Sequence, residues 1–447
     1  MILILIIIES MAASHRHTIA SLIVAGMLAV AGPSASAAKA AASESGSDQG
    51  NTLDANGKRE EVSSFKPRVV VAYDGGLLTL DGTTGKAVGR TERKGFLRLS
   101  PSGDGRHLFI SDGSAFQLFD VGLITKQHKD RTHYYVAPPK LTNTRLDVGE
   151  TGHVVSNAGR TSLFSESDAS VRTIAASALE DGKLTADEIA TSTAGEPHHG
   201  TAVPLSNGNM LVTKGTEEEH HTIQEVDRNG KVVTETTNCP ETHGAASAKP
   251  NANGDVISFG CINGPVVYRD GAFHKVPVSE EYQRSGNQFG STASPYVLAD
   301  YKTIKPAENA KGVTERPTVV GLINTADNTV KKVDLGSPYW FRSFARGKKG
   351  EGLVLTYNGN LNILDPATGT VTKKVKVVKK WREKDDWKQP GPNVKTVGDY
   401  AYVTEPSAKK IHLVKISTGK LVTSFSLNVV PNEMWALNGK KESGASG

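Results

Sequence analysis

Short apolar segments separated by tight polar turns run along most of the chain. The recurring unit is an apolar strand, a turn of the form D-x-x-x-G or similar, and a Lys or Thr that leads a second apolar strand. The clearest copies are LNILDPATGTVTKKV around Asp365 and HLVKISTGKLVTSF around Lys415. The other copies are centred on Asp81, Asp120, Asp168, Asp227, Asp270 and Asn324. Successive copies lie 39 to 59 residues apart, so the pattern is a repeat.

Each repeat also contains an upstream hairpin, such as LRLSPSGDGRHLFIS or LVLTYNGNLNIL. Four short antiparallel strands in roughly 40–50 residues are typical of one β-propeller blade. The sequence therefore predicts an all-β fold, a β-propeller over residues 65–438 with eight blades, and seven blades as the alternative. A helical period is nearly absent; only ASALEDGKLTADEIA, which ends at Ala190, hints at a helix.

The first 37 residues have the pattern of an export signal. A short basic region precedes an apolar run, Ile19–Ala31, and a small-residue segment that ends at Ala37. This order predicts a signal peptide, residues 1–37, with translation starting at Met1 or Met11. Because no later segment reaches about 18 consecutive apolar residues, we expect the mature chain not to enter a membrane. We expect the protein in the periplasm, the cell envelope or the extracellular space.

Composition and charge narrow the choice of partners. The chain of 447 residues has a net charge of +5, from 52 Lys and Arg against 47 Asp and Glu. These charges are dispersed rather than concentrated in one dense basic patch, so nucleic acid is excluded as a partner. Residues 38–64 are small and polar and predict a flexible linker, and residues 439–447 predict a disordered tail.

The two cysteines, Cys239 and Cys261, admit two interpretations. In an oxidising compartment, the first is a disulfide that closes the loop between them and adds about 3 kcal/mol of stability. The alternative is a thiolate metal ligand, because Cys239 lies four residues before His243.

Three of the 13 histidines share one position in the repeat. His153 in GHVV, His199 in HHGTAVPL and His243 in HGAAS each stand just before the innermost strand of a unit, 46 and 44 residues apart. Because the innermost strands line the channel of a propeller, equivalent positions in consecutive blades lie side by side at one mouth of it. We therefore expect these three imidazoles to converge, and His198, one residue out of phase, to face solvent.

A second group of candidate ligands lies in ITKQHKDRTHYY, which contains His128, Asp130 and His133. This segment stands between the second and third predicted blades, and we expect it to fold over the same channel mouth. Imidazole and carboxylate donors suit Zn²⁺, which takes about four ligands at 2.0–2.2 Å. Copper and nickel also accept imidazole. The expected affinity falls as the pH drops through about 6.5, where histidine is protonated.

A series of segments resembles the AztD-type zinc metallochaperones, over residues 68–437. In chain order they are HKDRTHYY, GHVV, PHHGTAVPL, CPETHGAAS with FGCINGPVVY, WREKDDWKQPGPNV, AYVTEPSAKKIHLVKISTGKLV and VPNEM. The chain departs from the family at Arg131, where the family has a further histidine. The resemblance implies an exported β-propeller with bound zinc and a disulfide. It also implies transfer of zinc to the solute-binding protein of a zinc ABC importer.

Besides a plain interaction scaffold that binds no metal, two classes of function remain open at this point. The first is a monomeric binding and transfer protein that is not an enzyme. In it the three phased histidines form a rigid site, and a mobile loop with His128, Asp130 and His133 carries zinc outward. The alternative is a metal-dependent propeller enzyme of the lactonase or quinoprotein-dehydrogenase type, with an open coordination position on the metal. The sequence contains no nucleophile elbow and no phosphate-binding loop, which favours the first class.

Overall fold

The computed structural model describes residues 59–180, 184–306 and 315–441. The predicted signal peptide, residues 1–37, lies outside the described residues, as do the predicted linker up to residue 58 and residues 442–447 of the predicted tail. In these ranges, the helical segments lack the length and the apolar character that a membrane span requires.

The described residues form 35 strands. The first twelve are β1 (Glu60–Val62), β2 (Arg68–Tyr73), β3 (Gly75–Asp81), β4 (Ala87–Arg93), β5 (Arg98–Pro101), β6 (His107–Ser111), β7 (Ala115–Asp120), β8 (Leu123–His128), β9 (Arg131–Val136), β10 (Lys140–Asp147), β11 (Thr151–Asn157) and β12 (Arg160–Ser165). The next twelve are β13 (Ser170–Ala175), β14 (Ile189–Thr193), β15 (Ala202–Pro204), β16 (Met210–Gly215), β17 (His220–Val226), β18 (Val232–Thr236), β19 (His243–Ser247), β20 (Ile257–Gly260), β21 (Val266–Arg269), β22 (Ala272–Lys275), β23 (Gln288–Phe289) and β24 (Tyr296–Asp300). The last eleven are β25 (Val319–Asn324), β26 (Thr329–Asp334), β27 (Tyr339–Arg346), β28 (Gly352–Thr356), β29 (Asn360–Leu364), β30 (Val371–Lys376), β31 (Val394–Val397), β32 (Tyr400–Glu405), β33 (Lys410–Lys415), β34 (Lys420–Ser426) and β35 (Glu433–Leu437).

Three short 3-10 helices accompany the strands in the described part of the chain. They are Ala176–Leu179, Ala186–Glu188 and Pro406–Ala408. The first two lie in the segment where the sequence hinted at a helix.

Eight four-stranded antiparallel sheets follow one another along the described residues. Six are consecutive quartets, β11–β14, β15–β18, β19–β22, β23–β26, β27–β30 and β31–β34. The sheet before them contains β5, β6, β7 and β10, with the hairpin β8–β9 inserted between its third and fourth strands. In the remaining sheet, β35 pairs with β2, which is followed by β3 and β4, so the two ends of the described chain share one sheet. The predicted all-β propeller fold is confirmed.

Burial decreases from the middle of each sheet to its outer strand. In the sheet β27–β30, every residue of β28 is buried, whereas most positions of β30 are exposed or partly buried. Apolar side chains of adjacent sheets pack in common clusters; Leu355 of β28 and Val403 of β32, for example, belong to one of them. The core therefore lies between the faces of neighbouring sheets, which leaves the ends of the innermost strands available for polar side chains.

The two ends of the sheets carry different groups. We call the upper face the end at which β11, β15 and β19 begin, and the lower face the end at which they finish. Because neighbouring strands are antiparallel, the third strand of each sheet also begins at the upper face and ends at the lower face. The hairpin β8–β9 follows the third strand β7, so it lies at the lower face.

Strand β1 extends this hairpin into a three-stranded sheet by pairing with β9. Val62 and Phe65 pack against the buried cluster that contains Leu123 and Val136. The last part of the segment predicted as a linker, 38–64, is thus a strand, because backbone pairing and apolar packing both stabilise it.

A disulfide joins Cys239 to Cys261, as the first of the two interpretations predicted. It connects the loop before β19 to the residue after β20, and both cysteines are buried. Because both sulfurs are in the bond, the thiolate alternative is excluded. The loop that the disulfide holds leads directly into His243.

Candidate metal centre

Three histidines meet where three consecutive innermost strands begin. His153 lies near the start of β11, His199 lies three residues before β15, and His243 is the first residue of β19. The Nε2 atoms of His153 and His199 are 3.2 Å apart. The centroids of the three rings lie 5.0 to 5.4 Å from one another. The structure thus brings together the three histidines that share one phase of the repeat.

The spacing of these histidines suits a tetrahedral metal ion. Two nitrogens bonded to one Zn²⁺ at 2.0–2.1 Å with a tetrahedral angle are about 3.3 Å apart. The two Nε2 atoms at 3.2 Å fit that value, and one ligand atom from each of the three residues lies within 4.8 Å of the others. Imidazole nitrogens are also preferred zinc ligands. With three protein ligands, a bound zinc ion keeps one coordination position for a further ligand.

Backbone irregularities position two of the three side chains. The strand pairing shifts register between Thr151 and Val154 in β11 and directly after His243 in β19. Such bulges re-aim side chains and are frequent beside functional sites. Gly244 follows His243 with φ of +70°, and a Cβ there would lie 2.6 Å from the carbonyl oxygen of Gly286. Glycine is therefore required for the turn that directs His243.

His199 is positioned by a buried neighbour, His198. The Nδ1 of His198 donates to the carbonyl oxygen of Glu196 at 2.8 Å, and its Nε2 is 3.1 Å from the Thr213 hydroxyl. The expectation that His198 faces solvent is wrong, since the residue is only 2% exposed and both ring nitrogens have partners. A Cβ at Gly200 would lie 2.5 Å from the His198 Nε2, so only glycine fits at position 200. The buried His198 ring on one side and Gly200 on the other therefore fix the backbone that carries His199.

Two outer groups orient the imidazoles. The Nδ1 of His199 donates to the Glu166 carboxylate at 2.6 Å, and the Nδ1 of His243 donates to the carbonyl oxygen of Gly286 at 2.8 Å. With Nδ1 as the donor, the lone pair is on Nε2, which is then the nitrogen able to bind a metal ion. Glu166 was not predicted from the sequence. The one feature of the sequence that could have indicated Glu166 is its position directly after β12, which belongs to the same sheet as His153.

Burial keeps two of the ligands neutral. Desolvation, together with the nearby His199 and His243, lowers the pKa of His153 well below its usual 6.5. Desolvation, with smaller effects from His199 and Arg284, lowers the pKa of His243 to about 3. A neutral imidazole is the form that binds a metal. These two histidines are therefore ready to bind zinc without losing a proton.

The predicted loop ligands lie elsewhere. His128 ends β8, Asp130 is in the turn, and His133 is in β9, so all three are in the hairpin at the lower face. The His128 and His133 ring centroids are 6.3 Å apart, and the His133 Nδ1 is 2.6 Å from a carboxylate oxygen of Glu61. The structure does not bring this segment over the mouth where the three histidines meet. Its role as a metal-binding segment stays a prediction.

The three histidines line a cavity of about 1780 Å³ that also has an aromatic wall. In this wall, the Arg342 guanidinium lies 4.6 Å from the ring centroid of Trp340 and 5.7 Å from that of Trp387. Arg342 Nε is also 2.9 Å from a carboxylate oxygen of Glu433. Trp387, from the segment between β30 and β31, contacts Phe96 with ring centroids 5.4 Å apart. The cavity is much larger than a single metal ion needs.

Fold and site together define a β-propeller with a candidate zinc centre of three histidines. No protein-family model matches the chain. The chain is 22% identical, over 372 residues, to the zinc chaperone AztD of Citrobacter koseri, and the alignment covers 80% of this chain and 83% of that protein. The resemblance inferred from the sequence segments is confirmed.

Solved structures agree with the fold. The crystal structure of Citrobacter koseri AztD matches with a TM-score of 0.70 at 21% identity and covers 85% of this chain and all of that one. The structure of apo AztD from Citrobacter koseri has the same TM-score and identity, with 86% of this chain covered. Dihydro-heme d1 dehydrogenase NirN in complex with DHE matches with a TM-score of 0.51 at 14% identity, over 84% of this chain and 76% of that one. At these identities, the likeness establishes the shared fold.

Proposed function

We propose that this protein is an exported zinc metallochaperone. It holds Zn²⁺ with His153, His199 and His243 and passes the ion to the solute-binding protein of a zinc ABC importer. The observation that carries this proposal is the convergence of three imidazoles at zinc-compatible spacing. The similarity to a protein named zinc chaperone AztD supports it. The signal-peptide pattern in residues 1–37 supports export.

The site is built to hold zinc before any partner arrives. His153 and His243 are neutral because of burial, and the Gly286 carbonyl and the bulges fix their direction. Ligands held in place lose little conformational freedom when the metal binds. We therefore assign high affinity to the three-histidine site.

Release begins at His199, the most accessible of the three ligands. Its side chain is 42% accessible, and its Nδ1 donates to the Glu166 carboxylate. A ligand from the acceptor protein can occupy the free coordination position and then replace His199. Zinc then moves by successive ligand exchange, without passing through water as a free ion.

We propose a separate, weaker zinc site for the hairpin at the lower face. His128 and Asp130 are exposed there, and His133 lies in the neighbouring strand. Loss of His128 and His133 should then lower the number of zinc ions bound without changing the affinity of the first. This makes the hairpin a matched control for variants of the three-histidine site.

Zinc titration of the metal-stripped protein tests the binding site. We expect one tight zinc ion, whose affinity drops by more than about 100-fold in His199→Ala, because a direct ligand contributes more than the 10–100-fold of an outer partner. His128→Ala, which removes an imidazole at the other face, should leave the first affinity unchanged. Micromolar or weaker binding that His199→Ala and His243→Ala do not alter would contradict the assignment.

A transfer experiment tests the chaperone function. Zinc-loaded protein is mixed with the importer's solute-binding protein in the presence of excess chelator, and the metal content of the acceptor is followed with time. We expect the acceptor to gain zinc faster than it does from free zinc in the same chelator. Equal rates would show that the protein stores zinc but does not deliver it.

A further inference from the structure

Three cationic side chains share the cavity with the three histidines. They are Arg98, at the start of β5, and Arg284 and Lys302, which line the same cavity beside His243. Arg284 and Lys302 are held next to each other, because the backbone N–H of each donates to the carbonyl oxygen of the other at 2.9 and 3.0 Å.

Arg284 lies close to the His243 ring. A Cβ placed at Gly286 would be 3.0 Å from Arg284 Nε and 3.4 Å from His243 Nδ1, so both groups border the same small volume. Arg284 is therefore close enough to contact a ligand that binds beside His243, and Arg98 and Lys302 line the same cavity.

These cations are not all neutralised by protein carboxylates. Arg284 pairs with Glu241 at 3.2 Å, and Lys302 with Asp300 at 3.4 Å. Within the described residues, Arg98 has no ion pair; its guanidinium lies over the Trp387 ring at 5.7 Å from the centroid. Glu166, the carboxylate that touches a metal ligand, already accepts from His199.

The charge balance of the loaded site is then unfavourable. Zn²⁺ with three neutral imidazoles keeps both of its positive charges, and Glu166 offsets one. The remaining charge lies in the same cavity as the positive charge of Arg98, and like charges repel each other. A tetrahedral zinc ion also needs one more ligand than the three histidines supply.

We infer that the zinc site takes its fourth ligand from solution as a small oxyanion of the carboxylate type, held beside the histidines by Arg98, Arg284 and Lys302. This inference rests on the proposed zinc-binding function. A carboxylate oxygen is an established zinc ligand. The planar O–C–O group also matches the donor fork of an arginine. Bicarbonate and small organic carboxylates share this chemistry, and the cavity of about 1780 Å³ has space for either.

The test measures the zinc affinity of the metal-stripped full chain by competition with a fluorescent chelator, at constant pH and ionic strength. Sodium methanesulfonate, a weakly coordinating salt, is replaced by sodium acetate or by sodium bicarbonate, and solution complexes of zinc with each anion are subtracted. For the unaltered chain we expect acetate or bicarbonate to raise the affinity by about tenfold, as one charge-assisted hydrogen bond and a metal bond allow. The anion that acts identifies the source.

Arg98→Gln separates this inference from a general salt effect. In methanesulfonate this variant should bind zinc about two- to threefold more tightly than the unaltered chain, because one repelling charge is gone. In acetate or bicarbonate it should lose most of the gain. Arg131→Gln, which removes the same charge in the lower-face hairpin, should behave like the unaltered chain. Circular dichroism establishes that each variant is folded, and Arg284→Gln repeats the test if Arg98→Gln does not fold.

Cobalt(II) provides a readout independent of affinity. The visible spectrum of the cobalt-loaded chain should change when acetate or bicarbonate is added, and this change should be weaker in Arg98→Gln. If neither anion alters the affinity or the spectrum, the inference is overturned while the three-histidine site stands. If His199→Ala binds zinc as the unaltered chain does, the proposed function itself fails.

Discussion

At the scale of single residues, the site depends on how each imidazole is oriented. His153, His199 and His243 were predictable because they recur at one phase of the repeat, and a propeller places equal phases side by side. The role of Glu166 was not predictable, because a glutamate in a turn after a strand is usually a solvent-exposed surface residue. Only its distance to His199 shows that it contacts a metal ligand. The burial of His198 depended in the same way on packing by distant residues such as Thr213.

Removing Glu166 should weaken zinc binding without removing a ligand. We expect Glu166→Ala to lower zinc affinity by about 10–100-fold, because His199 loses the acceptor that fixes its ring and its tautomer. Chelator competition measures the change. Glu150→Ala is the control, since Glu150 lines the same cavity and the same charge is lost. Equal affinities in the two variants would show that Glu166 acts only through its charge or not at all.

The pH dependence of zinc binding should be shallow between pH 7 and 5. A histidine whose pKa is lowered stays neutral, and so able to bind metal, until the pH falls through the lowered value. For His243 this value is about 3, and for His153 it is well below 6.5. Proton competition at these two ligands therefore sets in below the pH at which an ordinary histidine is protonated.

Zinc titrations at a series of pH values measure this dependence. We expect the affinity to change by no more than about tenfold per pH unit, which corresponds to one displaced proton. A slope that approaches three protons per zinc ion would mean that all three imidazoles titrate like free histidine. The sequence-based expectation of a fall through about pH 6.5 instead assumed the ordinary pKa of histidine for the ligands.

At the scale of structural elements, the two faces of the sheets decide which residues meet. The sequence placed His128 and His133 between two blades, a position that would bring them to the upper face. The structure instead inserts their hairpin between β7 and β10 of one sheet, at the lower face. A difference of one strand reverses the face, because successive strands are antiparallel. Strand composition alone does not reveal whether β10 belongs to the sheet before or after the hairpin.

The disulfide should support the metal ligand next to it. Cys239 and Cys261 close the loop that leads into His243, so their replacement by alanine should lower the free energy of unfolding by about 3 kcal/mol. Zinc affinity should also fall, since the strand start that carries His243 gains freedom. Denaturant unfolding and chelator competition measure the two effects. A double variant that loses stability but keeps its zinc affinity would show that the bulge at Gly244 positions His243 without the disulfide.

At the scale of the whole described unit, the four-stranded sheets share one architecture but contribute different side chains to the cavity. Three consecutive sheets supply the histidines, whereas β27 and the segment before β31 supply the aromatic wall with Arg342 and Trp387. The general fold followed from the repeat, because every unit has the same strand and turn pattern. The lining of the cavity could not be predicted from the repeat, because its side chains are far apart in sequence and differ from unit to unit.

The measurement that tests the central claim most directly is diffraction at the zinc absorption edge, from crystals of the full chain grown with zinc. It reports the element and its ligands together. The account predicts a zinc peak bonded to the Nε2 atoms of His153, His199 and His243, with Glu166 in contact with His199. A zinc ion found only at the lower-face hairpin, or no zinc at the three histidines in crystals that contain the metal, would contradict it.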